Sequence, residues 1–85
     1  MAGAHVEVVG NEIRVTGNTY VIRGRIRSKA AAYRTKARWD PDRRAWIIDF
    51  SNLSLDEARE LLDALQSLCR SLEWVKRVRG LPNNT

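Results

Sequence analysis

Residues 37–50 read ARWDPDRRAWIIDF, and this segment predicts a β-hairpin. The Asp-Pro-Asp sequence at positions 40–42 is typical of a turn, because Asp suits the first turn position and Pro presets φ at the second. The residues on either side are aromatic or β-branched and favour strands. A turn centred on residues 41–44 places Trp39 opposite Trp46, and such cross-strand aromatic pairs stabilise hairpins.

The N-terminal segment predicts more antiparallel strands. Two β-rich runs, residues 5–9 and 12–16, flank a Gly10-Asn11 pair that is typical of a hairpin turn. A second turn signal at Gly17-Asn18 is followed by residues 19–23, which we interpret as a third strand that ends at Gly24. We therefore expect an antiparallel meander before the 37–50 hairpin.

An Ala-rich segment lies between these strands and the hairpin. Residues 28–36 carry good helix formers, and Ser28 is a suitable N-cap. Ile26, Ala30 and Tyr33 fall at helical spacing, so they share one face. This pattern predicts a short basic helix.

The last element is a long helix over residues 54–79. Ser54-Leu55-Asp56-Glu57 is a capping box, and Gly80 and Pro82 are stop signals. The predicted order is β-β-β-α-β-β-α, an α+β fold with an antiparallel sheet, a short basic helix and a long C-terminal helix. We expect one domain over residues 1–85.

The long helix also predicts self-association. Five apolar residues step by four, three, four and three, as in a heptad seam. These are Leu61, Leu65, Leu68, Leu72 and Val75. A neighbouring apolar stripe consists of Leu55, Ala58, Leu62 and Cys69. One stripe can cover the sheet while the other meets a second subunit, so we expect a homodimer; the alternative is one wide apolar face packed within the chain.

The charge distribution points to a polyanionic partner. The chain has 15 Lys and Arg against 10 Asp and Glu, a net charge of +5. Residues 23–44 hold nine cations and two acids, a net charge of +7, so the rest of the chain is net acidic. Such asymmetry is typical of a nucleic-acid surface. The alternative is a solvated basic face.

Aromatic residues lie within or beside this basic segment, which favours single-stranded DNA. Arg and Lys neutralise the backbone while bases stack on aromatic rings, without reading sequence. Duplex readers instead present a groove-reading helix, and the short helix lacks Asn or Gln for adenine edges. The predicted contact residues are Tyr20, Arg23, Arg25, Arg27, Lys29, Tyr33, Arg34, Lys36, Arg38, Trp39, Arg43, Arg44 and Trp46.

Other interpretations of the same residues stay open. Trp39 or Trp46 can belong to the core instead of the ligand site. RNA is the nearest alternative ligand, since a stacking site need not exclude a 2′-hydroxyl. A dimeric adaptor with a basic face for an acidic protein is a further alternative.

Catalysis is not expected. His5 is the single histidine and lies near a terminus, and Cys69 falls on the apolar side of the last helix. Asp40 and Asp42 surround a proline, so turn capping explains them better than a metal site. No phosphate loop or zinc spacing is present, and we expect no cofactor and no metal.

The expected location is the cytoplasm. One cysteine permits no internal disulfide, no apolar run is long enough for a membrane helix, and the N-terminus does not resemble a signal peptide. Cations in the last helix are mixed with acids, which argues against a membrane-surface anchor. Twelve Arg against three Lys, with Gln66 as the one glutamine, fit a thermophile or a GC-rich genome.

Residues 37–47, ARWDPDRRAWI, resemble a recurrent hairpin module of small domains linked to DNA-processing proteins. With the preceding strands and the two helices, the chain resembles the ThermoDBP-related proteins, single-stranded DNA-binding proteins of thermophilic archaea. The resemblance implies an antiparallel sheet whose helices form a cleft, where basic and aromatic residues of segment 23–50 hold single-stranded DNA. It also implies self-association through helices.

Overall fold

Residues 3–79 form one sheet and two helices. The computed structural model describes residues 3–79, with side chains for residues 3–71. The elements are β1 (Ala4–Val9), β2 (Glu12–Gly17), a 3₁₀ turn (Tyr20–Ile22), α1 (Arg23–Ala32), β3 (Ala37–Asp40), β4 (Ala45–Asp49) and α2 (Leu55–Arg79). The sheet is antiparallel in the order β1-β2-β4-β3, so the predicted α+β class is confirmed.

Both predicted hairpins form, and the second has the predicted register. Val9 pairs with Glu12 around a two-residue turn, and Gly10 has the positive φ of 60° that a II′ turn requires at its first position. In the second hairpin Trp39 pairs with Trp46. The two hairpins join where β2 pairs with β4.

The prediction of a third strand at residues 19–23 is wrong. Residues 20–22 form the 3₁₀ turn, which continues directly into α1. Ile22, Ile26 and Ala30 lie four residues apart and are all buried, so this helical stripe outweighs the β propensity of residues 19–23. α1 consequently begins five residues before the predicted Ser28 start.

Helix α1 also ends earlier than the predicted Lys36. Arg34 adopts a left-handed φ of 62°, and its N–H donates to the Ala31 carbonyl at 3.0 Å. The Thr35 N–H donates to the Ala30 carbonyl at 3.1 Å. This pair of bonds is a Schellman motif, with arginine at a position that glycine usually occupies.

The long helix begins as predicted. The Ser54 hydroxyl accepts from the Glu57 N–H at 3.1 Å, and the Glu57 carboxylate accepts from the Ser54 N–H at 3.1 Å. This reciprocal pair confirms the capping box. The helix runs for 25 residues, Leu55–Arg79, as expected. Within residues 3–79 no helix is long and apolar enough to cross a membrane.

The core lies on one face of the sheet, under both helices. Its sheet side consists of Ile13 and Val15 of β2 with Trp46 and Ile48 of β4. Its helix side consists of Ile22, Ile26, Ala30, Leu61, Leu65, Leu68 and Cys69. Because these residues form one cluster, α1 and α2 cover the same face and the chain is a two-layer structure.

The core corrects the predicted dimer seam. Leu61 and Leu65 are 0% exposed and Leu68 is buried in the same cluster, so these three leucines pack against their own sheet. Leu61 and Leu65 have no accessible surface in the single chain and therefore none to bury against a second subunit, so their assignment to the seam is wrong. Leu68 keeps some accessible surface, and its place in a seam stays a prediction. The side chains of Leu72 and Val75 lie outside the described residues. The homodimer itself stays a prediction.

Candidate nucleic-acid interface

A surface cleft of about 500 Å³ lies where β2, the 3₁₀ turn and the second hairpin meet. We call it the aromatic cleft. Its lining consists of Gly17, Asn18, Thr19, Tyr20, Arg23, Trp39 and Trp46. The cleft thus combines three of the predicted aromatic residues with one of the predicted arginines.

The two hairpin tryptophans have different environments. Trp39 is on the edge strand β3 and is 44% exposed, whereas Trp46 on the inner strand β4 is 8% exposed and belongs to the core. Their ring centroids are 5.6 Å apart and the planes are tilted by 60°. Packing against Trp46 therefore holds the Trp39 ring in place while part of it stays open to solvent.

Tyr20 and Arg23 line the cleft together with the two tryptophans. Tyr20 is 69% exposed, and the Arg23 guanidinium lies 3.7 Å from the centroid of its ring. The same guanidinium donates to the Tyr20 carbonyl oxygen. Both contacts arise because the two residues are three apart in a continuous helical turn. The stacked guanidinium is thereby positioned beside an exposed aromatic ring.

One turn further along α1, Arg27 lies on the same side as Arg23. Its guanidinium is 5.8 Å from the centroid of a Trp46 ring. The cleft therefore has two cations within reach of its aromatic side chains.

The turn before α1 also lines the cleft. Gly17 has a φ of 92°, and a Cβ at this position would overlap the Gly3 carbonyl oxygen. Thr19 is buried and its N–H donates to the Gly17 carbonyl at 3.0 Å. The turn predicted at Gly17-Asn18 is therefore present, and the 3₁₀ turn that follows it, in place of the predicted strand, presents Tyr20 to solvent. The sequence signal for this helical start is the spacing of two apolar residues, Ile22 and Ile26, which lie four positions apart as on one face of a helix.

Tyr33 and Arg34 lie away from the cleft and contact α2. The Tyr33 hydroxyl donates to Glu60 at 3.2 Å, and Arg34 forms an ion pair with Glu57 at 3.0 Å. Partial burial and the Glu60 hydrogen bond raise the pKa of Tyr33. The hydrogen bond from the Ser54 N–H, assisted by Arg34, lowers the pKa of Glu57. These two predicted site residues connect α1 to α2.

Arg43 belongs to the hairpin turn. Its guanidinium donates to Asp40 at 2.8 Å, which lowers the pKa of Asp40 and raises the pKa of Arg43. Asp40 also accepts from the Asp42 N–H at 3.0 Å, which confirms the predicted turn capping. Arg44 is exposed at the end of this turn with a φ of 52°.

The remaining predicted cations are exposed but dispersed. Lys36 precedes β3, and Arg38 alternates with Trp39 along β3, so it points to the face of the sheet opposite the helices. Arg25 and Lys29 lie on α1 beside a second groove, between α1 and α2. The structure therefore places Tyr20, Arg23, Arg27, Trp39 and Trp46 together and separates the other eight.

The groups considered for catalysis do not converge. His5 is exposed on β1, while Cys69 is a buried free thiol whose pKa is raised by burial. Over the described residues, no group of three His, Cys, Asp or Glu side chains is arranged to hold a metal ion.

Comparison of the chain with protein-family models, with curated proteins and with solved structures finds no match. The resemblance to the ThermoDBP-related proteins therefore stays a prediction.

Proposed function

We propose that this protein binds single-stranded DNA with little sequence preference, and that the aromatic cleft is the binding site. One observation carries this proposal: the exposed rings of Trp39 and Tyr20 share a cleft with Arg23, and Arg27 is adjacent. Bases stack on aromatic faces and arginines neutralise the phosphates between them, a combination that tolerates any sequence.

The size of the cleft favours an unpaired base over a duplex. A volume of about 500 Å³ is in the range of small-molecule pockets and suits single bases. Paired bases in a duplex are stacked on their neighbours, so Trp39 and Tyr20 reach their faces only after unstacking. RNA offers the same faces and phosphates, and it is the alternative ligand.

Titration of a labelled dodecamer as single-stranded DNA, RNA and duplex, at several salt concentrations, tests the proposal. We expect the single strand to bind more tightly than the duplex, with an affinity that falls as salt rises. Equal or tighter duplex binding would contradict the proposal. Tighter RNA binding would shift the assignment to the alternative ligand.

Replacement of Trp39 by Ala tests the stacking role. We expect a loss of about 1–3 kcal/mol in binding free energy, since one stacked base is lost. The matched control is Leu55→Ala, because Leu55 is a large apolar side chain exposed away from the cleft. An adaptor that recognises an acidic protein by charge alone would tolerate both changes equally. Circular dichroism verifies that each variant is folded.

A further inference from the structure

Helix α1 carries cations on both of its flanks. At 100° per residue, the buried Ile26 and Ala30 define the side that faces the core. Arg23 and Arg27 then lie on the flank towards the aromatic cleft, which their contacts with Tyr20 and Trp46 confirm. Arg25 and Lys29 lie on the opposite flank. Two of the four cations of α1 therefore lie on the side of the aromatic cleft, and the other two lie away from it.

The opposite flank borders a second groove. The groove lies between α1 and α2 and has a volume of about 600 Å³. Besides Arg25 and Lys29, its lining among residues 3–71 includes serine and alanine side chains of both helices and Leu68, and none of these described lining residues is acidic. A positively charged groove with hydroxyl groups is complementary to phosphates.

Between the two flanks, the solvent-facing ridge of α1 carries small residues. Gly24, Ser28 and Ala31 occupy it by the same helical spacing, and all three are exposed. Ser28 lies where this ridge borders the groove. Nothing lies within 4 Å of the position where Gly24 would carry a Cβ. A flexible chain can therefore pass over α1 close to its backbone, between two rows of cations.

We propose that one single strand of nucleic acid crosses α1, with bases in the aromatic cleft and the following phosphates in the groove beside Arg25 and Lys29. This inference rests on the proposed function and extends it from one cleft to a continuous path. A strand of a few nucleotides occupies the cleft alone, whereas a longer strand reaches both sides of the helix. The groove thus sets how affinity depends on strand length.

Two oligonucleotide lengths separate the groove from the cleft. A thymidine trinucleotide and a thymidine dodecamer are titrated against the wild type and the double variant Arg25→Ala/Lys29→Ala. We expect dodecamer affinity to fall roughly tenfold and the salt slope to decrease by about 1.4, because two phosphate contacts are lost at about 0.7 each. Trinucleotide affinity is expected to stay unchanged.

A matched charge control is Arg59→Ala/Arg70→Ala. Both residues are exposed on α2, and neither lines the aromatic cleft or the groove. The control removes the same charge, so a general electrostatic effect would weaken dodecamer binding equally in both double variants and would overturn the proposal.

A steric test leaves the charge unchanged. Ser28→Leu places a bulky side chain on the ridge of α1, and Ser28→Ala is its control. We expect the Leu variant to weaken dodecamer binding and to leave trinucleotide binding unaffected, while the Ala variant resembles the wild type.

Three further outcomes would overturn the crossing path. Dodecamer binding that depends on Trp39 but ignores Arg25 and Lys29 would reject the path and leave the function of the cleft intact. A wild-type protein that binds neither oligonucleotide would reject both. If the Arg25→Ala/Lys29→Ala variant loses more affinity for duplex DNA than for the single strand, α1 would bind in a duplex groove instead.

Discussion

Two glycines that flank the start of α1 have opposite conformational demands. Gly17 adopts a φ of 92° and approaches the Gly3 carbonyl oxygen, so a side chain there is both strained and obstructed. Gly24 lies within α1 with open space around its Cα and no left-handed φ. The first glycine is required by the turn, and the second is a replaceable helix residue.

Alanine at each position is expected to change stability in opposite directions. Gly24→Ala raises the free energy of unfolding by about 0.5–1 kcal/mol, because alanine loses less backbone entropy in a helix. Gly17→Ala lowers it by more than that and, if the proposed function holds, also weakens binding of single-stranded DNA, since this turn positions Tyr20. Urea unfolding followed by circular dichroism measures both. Equal effects of the two variants would contradict the assigned roles.

At the scale of elements, α2 depends on its first turn. The Glu57 carboxylate accepts from the Ser54 N–H at the helix start and pairs with Arg34 beyond the end of α1. Its pKa is lowered mainly by the Ser54 hydrogen bond. One carboxylate therefore both caps α2 and links it to α1.

The lowered pKa predicts acid sensitivity. A carboxyl group whose pKa is lower in the folded chain contributes stability above its unfolded value, and this contribution is lost as pH falls through the folded value. We expect the free energy of unfolding to decrease below the ordinary pKa of 4.5 for Glu57. Asp40 and Asp49, whose pKa values are also lowered, add to the decrease at lower pH.

Glu57→Gln isolates the contribution of this residue. Glutamine retains the capping hydrogen bond but has no charge to titrate, so the variant is expected to show a flatter decrease of stability with acid. Urea unfolding at a series of pH values measures it, with Asp63→Asn, exposed on α2, as the control. An unchanged pH profile in Glu57→Gln would contradict the assignment.

At the scale of the whole molecule, the leucines of α2 stabilise the single chain. Leu65→Ala is expected to lower the free energy of unfolding by about 2–5 kcal/mol, the cost of a cavity in a packed core. Its oligomeric state is expected to equal that of the wild type. Light scattering together with urea unfolding distinguishes these effects. A variant that dissociates without loss of stability would restore Leu65 to an inter-subunit seam.

Local chemistry within the sequence determined both hairpins, the register of Trp39 with Trp46, and the capped start of α2. Each depends on residues a few positions apart, because turn preferences and capping bonds form between near neighbours. The net charge of segment 23–44 is likewise a property of the sequence alone.

Tertiary packing decided the rest. Residues 20–22 became a helical turn because Ile22 is buried in line with Ile26, against a sheet that no local rule describes. The same burial divided the cations of α1 between two flanks. It also assigned Leu65 to the chain's own core. Helical periodicity shows which residues share a face, but what that face meets depends on elements distant in the sequence.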